Sequence, residues 1–227
     1  MYDKITLNEV RKNKEVCSYV SSGDAVLNVM GYTDHSAGHT LIVARDTAEI
    51  LRKLNHDTRT IELAEIAGYT HDIGNTINRV HHAHTGALMM FEILTRMNMN
   101  PAEIAIIISA IGHHDEKDGL PVNAVSAALI IADKSDVRRS RVKNKDMTTF
   151  DIHDRVNYAV TESKVEVNIN NEKMEKPDID LKLEVDLSIC SVGEYFEIFL
   201  ERMVMSQKAA TFLGATFHLY INGTKLL

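Results

Sequence analysis

The stretch Asn100-Pro-Ala-Glu-Ile-Ala-Ile-Ile-Ile-Ser-Ala-Ile-Gly-His-His-Asp115 decides the fold class. Asn100 can cap a helix, Pro101 suits its first position and Glu103 its third. The body between them is apolar nearly all round, so the helix reads as buried inside a bundle. It is far too short to span a bilayer. Yet it ends in two histidines, His113 and His114, and a buried helix does not end in imidazoles without partners for them.

Outward from this helix the pattern stays helical. Thr6-Leu-Asn-Glu9 has the spacing of a capping box. Val43, Thr47, Ile50, Leu51 and Leu54 recur at helical spacing. A helix is expected from about Thr58 to His71, with Gly74 placed to end it. Others are expected from about His81 to Met97 and from about Val122 to Arg139. Past residue 160 the period changes. Val165, Val167 and Ile169 alternate, as do Ile179, Leu181, Leu183, Val185 and Leu187, which reads as half-buried strands. The polar run 170–178, NNEKMEKPD, connects them. A helix from about Val192 to Phe212 and a last strand with Phe217, Leu219 and Ile221 on one face complete the chain. The expected fold is mainly α, a helical bundle over residues 1–160 with a small α+β appendage over 161–227.

The polar residues at the ends of these helices form an ordered set. His39 begins the first core helix, His71 and Asp72 end the second, His82 begins the third, His113 and His114 end the fourth, and Asp133 lies in the fifth. On helices that bury their apolar faces, such side chains converge inside the bundle. Buried charges are costly unless paired or metal-bound. Neutral imidazoles with two carboxylates cannot satisfy one another by ion pairing, whereas divalent cations satisfy them all. Mixed imidazole and carboxylate donors suit Mn, Fe, Co, Ni or Zn better than Ca or Mg.

Composition sets the frame. Of 227 residues, 44% are hydrophobic and 25% charged, the balance of an ordinary globular chain. A net charge of -7 argues against broad nucleic-acid or anionic-membrane binding. Two cysteines, Cys17 and Cys190, build no disulfide framework, and the N-terminus carries no apolar signal core. A cytoplasmic location is expected, and homo-oligomerisation stays open.

The order H…HD…H…HH…D over roughly residues 33–141 resembles the HD-domain metal-dependent phosphohydrolase superfamily. His71-Asp-Ile-Gly-Asn75, His81-His-Ala-His-Thr-Gly-Ala87, His113-His-Asp-Glu-Lys-Asp-Gly119 and Ala132-Asp-Lys-Ser-Asp136 carry the resemblance, and His82 and Gly86 have the family's H-x-x-x-G spacing. The pattern is nearest to the two-metal branch that includes the HD-GYP phosphodiesterases. By that resemblance His39, His71, Asp72 and Asp133 hold one metal. Asp72, His82, His113 and His114 hold a second, with Asp72 bridging. The chain departs from HD-GYP at Gly119-Leu-Pro121, where the family has Gly-Tyr-Pro, and at Asn75, where a lysine is usual. These departures weaken any assignment to cyclic di-GMP and leave the metal set untouched.

The resemblance implies a hydrolase of phosphomonoesters or phosphodiesters, acting on a small phosphorylated substrate such as a nucleotide, with two transition-metal ions activating a hydroxide. Mn or Fe are the expected ions, with Co, Ni or Zn as alternatives. A nucleotide-binding sensor or a di-iron oxygenase of the same superfamily remains the competing reading. His35 stands where some HD-GYP members place a glutamate supporting a third metal, so it is a candidate for metal or substrate contact, or for orienting a ligand. Arg79 could grip a phosphate oxygen or lie on the surface. Lys134 could neutralise phosphate or pair with Asp136. Asp136 could relay a proton, alongside Asp72 and Lys134 as catalytic candidates. Arg138, in the basic run 138–145, is a further substrate-binding candidate. His84 is expected to support a ligand from behind or face solvent. The methionines of 87–99 are expected in the core.

Overall fold

The computed structural model describes residues 2–169 and 176–227. Its helices are α1 (Leu7–Lys12), α2 (Lys14–Val29), α3 (Ala37–Lys53), α4 (Thr58–Thr70), α5 (His82–Arg96), α6 (Pro101–Gly112), α7 (Ala124–Ser135), α8 (Ile152–Ala159) and α9 (Val192–Phe212), and its strands are β1 (Val160–Asn168), β2 (Asp178–Val185), β3 (Thr216–Ile221) and β4 (Thr224–Lys225). The fold is mainly helical, with the strands confined to a C-terminal appendage. No helix among the described residues is long and apolar enough to cross a membrane.

Local chemistry sets these boundaries. Thr6 and Glu9 close the expected capping box at α1. The Asn100 carboxamide accepts from the Ala102 amide at 2.9 Å, with Pro101 behind it in the first turn of α6. α6 packs against α5 and α4, and Ile104, Ile107 and Ile111 are buried. α3 and α4 lie close because Gly68 faces Ala44. A Cβ there would come within 2.7 Å of the Ala44 Cα, so the two backbones meet directly.

Several boundaries differ from expectation. α7 ends at Ser135, not near Arg139, because Asp136 leaves helical geometry (φ −79°, ψ 73°) and commits its carboxylate to His39 and Arg138. The basic run is therefore an irregular segment with a short 3-10 turn, Arg139–Arg141, rather than a helix face. Gly74 does not end α4. It lies within a separate 3-10 turn, Ile73–Thr76, that packs on α5. α8, too short to show a clear period, fills residues that carried no expectation, and β1 starts at Val160 as α8 ends. Of the connection 170–178, residues 170–175 lie outside those described.

The sheet order is β1-β2-β3-β4. β1 and β2 pair antiparallel with Val165 opposite Leu181, and β2 and β3 pair parallel with Leu181 opposite Leu219. The parallel pair needs a crossover, and α9 supplies it. α9 packs both on β3 and along α7. One continuous apolar cluster takes in Val43, Ile66 and Ile130 of the bundle and Leu181, Phe199 and Phe217 of the appendage. Met90 and Met99 are buried in the same cluster.

A candidate metal centre

Four imidazoles meet where the ends of α3, α4, α5 and α6 converge. His39, His71, His82 and His114 are all almost fully buried. Each has its Nδ1 hydrogen committed outward. His71 donates to the Gly68 carbonyl at 2.9 Å, His82 to Arg79 O at 3.0 Å and His114 to Ile111 O at 2.6 Å. A carbonyl only accepts, so each of these three Nδ1 atoms carries a hydrogen. His39 Nδ1 donates to Asp136 Oδ2 at 2.6 Å. All four Nε2 atoms face inward as two pairs, His39 with His71 at 3.3 Å and His82 with His114 at 3.1 Å.

Asp72 stands between the pairs. Its Oδ2 lies 3.3 Å from His71 Nε2 and 3.8 Å from His39 Nε2. Its Oδ1 lies 3.3 Å from His82 Nε2 and 3.9 Å from His114 Nε2. Asp133 Oδ1 joins the first pair at 3.5 Å from His39 and 3.6 Å from His71. The donors fall into three overlapping groups: His39, His71 and Asp72; His71, His114 and Asp133; and Asp72, His82 and His114. His113 is in none of them. It sits at the end of α6 next to His114, and adjacent residues there do not face the same way. Its Nδ1 is buried without a hydrogen-bond partner.

Protonation follows from this packing. In the metal-free chain burial pushes His71 down, but the carboxylates of Asp72 and Asp133 outweigh it and hold the imidazolium up to about 10. Burial would raise Asp72 and Asp133, yet His71 for the first and Lys134 for the second keep both well below the usual carboxylate range. His114 is pushed well down by burial and by His71 and His82 beside it, so it is neutral. Its Nε2 therefore presents a lone pair 3.1 Å from the Nε2 of His82, whose Nδ1 faces Arg79 O. A cation seated at these two inward-facing Nε2 atoms would be held by both.

The surrounding residues divide by what they touch. Lys134 is buried and pairs with Asp133 at 2.8 Å and Glu116 at 2.5 Å, not with Asp136. Burial lowers its pKa, but Asp133 and Glu116 raise it further, so the ammonium is fixed. Asp136 does not line the cavity and reaches the centre only through His39. Burial acts to raise its pKa, but the bond to His39 and the charge of Arg141 hold it well down. Arg138 is drawn onto Asp136 at 2.7 Å and is likewise off the cavity wall. Arg141 lines the wall instead, with its Nη1 donating to Asp136 O at 2.6 Å.

Over the centre opens a cavity of about 610 Å³. His35 lines it, its Nδ1 bonded to Thr33 O at 2.6 Å and its Nε2 4.0 Å from Asp72 Oδ2. Burial keeps that ring well below its ordinary pKa. Arg79 also lines the cavity, stacked over Tyr32 at 5.6 Å and reaching to 3.7 Å from Asp72 Oδ1 and 3.3 Å from His82 Nε2. His84 is exposed at the rim. The far wall comes from α9. Phe199 and Arg202 line the cavity, and Arg202 Nε reaches Glu116 at 3.3 Å. Sequence reasoning missed Glu116, Arg202, Tyr32 and Phe199. Glu116 directly follows His113-His-Asp115, which was a local signal, while the other three come from distant segments with no motif.

Residues 37–140 match the HD domain. That segment runs from the first turn of α3 through the short turn after α7, and so includes the four buried imidazoles, Asp72, Asp133 and Asp136. The chain is also similar to the uncharacterized protein MJ1020 of Methanocaldococcus jannaschii, 25% identical over 161 residues, which cover 61% of each chain. The match thus spans less than two thirds of that relative's length. A crystal structure described as a predicted HD superfamily hydrolase from an uncultured Thermotogales bacterium aligns with 59% of this chain and 75% of its own. It is 23% identical, with a TM-score of 0.45.

Proposed function

We propose that this chain is a metal-dependent phosphohydrolase acting on a small phosphomonoester or phosphodiester, a nucleotide or a related ester, through a dinuclear centre under the 610 Å³ cavity. The observation that carries the reading is the His82–His114 pair, whose Nε2 atoms face each other at 3.1 Å while both Nδ1 atoms are turned to backbone carbonyls. The donor set fits divalent cations. His39, His71, Asp72 and Asp133 would hold one ion, and Asp72, His82 and His114 the other, with one Asp72 oxygen turned to each pair. His113, a ligand by resemblance, is not gathered with the rest and is left out of this set. The nitrogen-rich site favours Mn or Fe, with Co, Ni or Zn admissible, over Mg, which prefers oxygen donors and keeps its waters.

When bound, such ions polarise a phosphoryl oxygen and lower the pKa of a coordinated water. The chain's own residues supply the rest. Arg79, steadied by Tyr32, offers a guanidinium to phosphoryl oxygens beside Asp72 and His82. Arg141 adds fixed positive charge to the wall. Asp136 positions His39 by holding its Nδ1 hydrogen. Lys134, clamped by two carboxylates, balances Asp133 and is not free to meet phosphate. His35 offers its Nε2 to the space beside Asp72.

The test is turnover of aryl phosphomonoesters and phosphodiesters by Mn- or Fe-loaded protein, before and after chelation, beside His114→Ala. Activity lost on chelation, restored by Mn²⁺ or Fe²⁺ more than by Mg²⁺ and absent in His114→Ala is the expected result. Equal slow rates in both proteins would refute the assignment, and an oxygen-dependent reaction in place of hydrolysis would replace it with the oxygenase reading.

A further inference from the structure

A second donor cluster stands apart from the buried set. His81, His84 and Asp118 are all exposed and each offers one donor atom, the three lying within 4.8 Å of one another. His84 Nε2 is 3.7 Å from Asp118 Oδ2, and the His81 and His84 rings stack at 5.9 Å with 22° between their planes. The three come from two segments, the start of α5 and the loop after α6, and all line the mouth of the cavity. His81 adopts a left-handed backbone (φ 59°, ψ 26°) that non-glycine residues seldom hold. Among the described residues, none of these three shares a donor group with a buried imidazole.

We propose that His81, His84 and Asp118 form a separate, exchangeable site for a borderline divalent cation such as Zn²⁺ at the cavity mouth. Two imidazoles and a carboxylate are a donor set that suits such an ion, with open positions left for water or for a ligand from the cavity. Bonds of about 2.0–2.2 Å draw donors to roughly 3.5 Å apart, a closure that small rotations of exposed side chains achieve. The Asp118 carboxylate supplies the negative charge that offsets the positive end of α5. Exposure makes the ion exchangeable, unlike ions enclosed by the bundle. The site adds a cation where the substrate enters, and it stands whether or not the buried centre is dinuclear.

The test is a Zn²⁺ titration of the full-length chain, loaded with Mn²⁺ and then desalted, with retained metal measured separately by elemental analysis. Wild type takes up one Zn²⁺ beyond the retained ions. His84→Ala and Asp118→Asn each weaken that uptake by about tenfold or more, and His153→Ala, at another cavity-lining histidine, leaves it unchanged. Substoichiometric Cu²⁺ gives a second readout, two nitrogen couplings by electron paramagnetic resonance in wild type and one in His84→Ala. Identical isotherms for wild type and His84→Ala, or the same loss in His153→Ala, overturn the proposal. A protein that retains no metal but shows the His84-dependent uptake would refute the dinuclear reading and keep this site.

Discussion

Replacing Gly74 by alanine isolates the packing that sets the second half of the centre. Gly74 lies in the 3-10 turn just after Asp72, and its α-carbon faces the first turn of α5. A Cβ there would overlap the His82 carbonyl oxygen, approach Gly86 N to 2.5 Å and approach Thr85 Oγ1 to 2.6 Å. Thr85 can rotate away, but the two backbone atoms cannot. Relief means shifting the start of α5 by roughly 1 Å in an interior packed to crystal-like density. Overpacking of this kind costs about 1–3 kcal/mol, and rigid backbone puts this site at the upper end. For a chain of this size that lowers Tm by about 5–10 °C. The same shift displaces His82 relative to His114, whereas ligand positions tolerate only about 0.2 Å. Gly74→Ala is therefore expected to melt earlier and, on the proposed dinuclear centre, to lose about half of its metal, the half that His39 and His71 would hold being retained. Circular dichroism melts and elemental analysis of the desalted protein check this. A variant with wild-type Tm and wild-type metal content would show that the contact between the 3-10 turn and α5 does not set the His82 position.

Asp136→Asn keeps the shape beside His39 but removes the charge that orients it and that faces Arg138 and Arg141. Loss of about 10- to 100-fold in metal affinity is expected, read by dialysis against a graded chelator series; retention equal to wild type would refute a positioning role. Metal loading is also expected to release protons. His71 keeps its proton up to about 10 in the metal-free chain, while Asp72, Asp133 and His114 are already deprotonated. Loading at about pH 8 in weakly buffered solution should release about one proton from this imidazole, falling away as the pH rises past about 10. The sign for folding runs the same way: a raised folded pKa stabilises the metal-free fold below the unfolded value of about 6.5 and is lost as the pH rises through about 10. No release in a pH-stat would refute the His71 assignment.

Much of the centre was legible because helix ends carry their own chemistry. His39, His71, His82 and His114 each close or open an apolar helix, so their convergence could be read without coordinates. The Asn100–Pro101 start and the Thr6 box were equally local signals. What could not be read were partnerships between distant segments. Asp136 reads as a proton relay until the fold sets it behind His39, 97 residues away. Lys134 reads as a phosphate ligand or a partner of Asp136, whereas Glu116, on another loop, and Asp133 hold it. Arg138 and Arg141 share one basic run, and only the non-helical path after α7 keeps one off the cavity and puts the other on its wall. Gly74 reads as a helix stop because a glycine after a helical run usually is one, whereas its use here is close approach to α5.

The placing of Phe199 and Arg202 on α9 has an evolutionary consequence. The groups that would hold metal lie between α3 and α7, while the far wall of the cavity is borne by a helix of the appendage, joined to the centre through Arg202, Glu116 and Lys134. Substitutions along the cavity face of α9 can reshape what fits without disturbing any buried imidazole. One wall of the cavity is thus inherited on a stretch of chain apart from the buried imidazoles, free to diverge at its own rate.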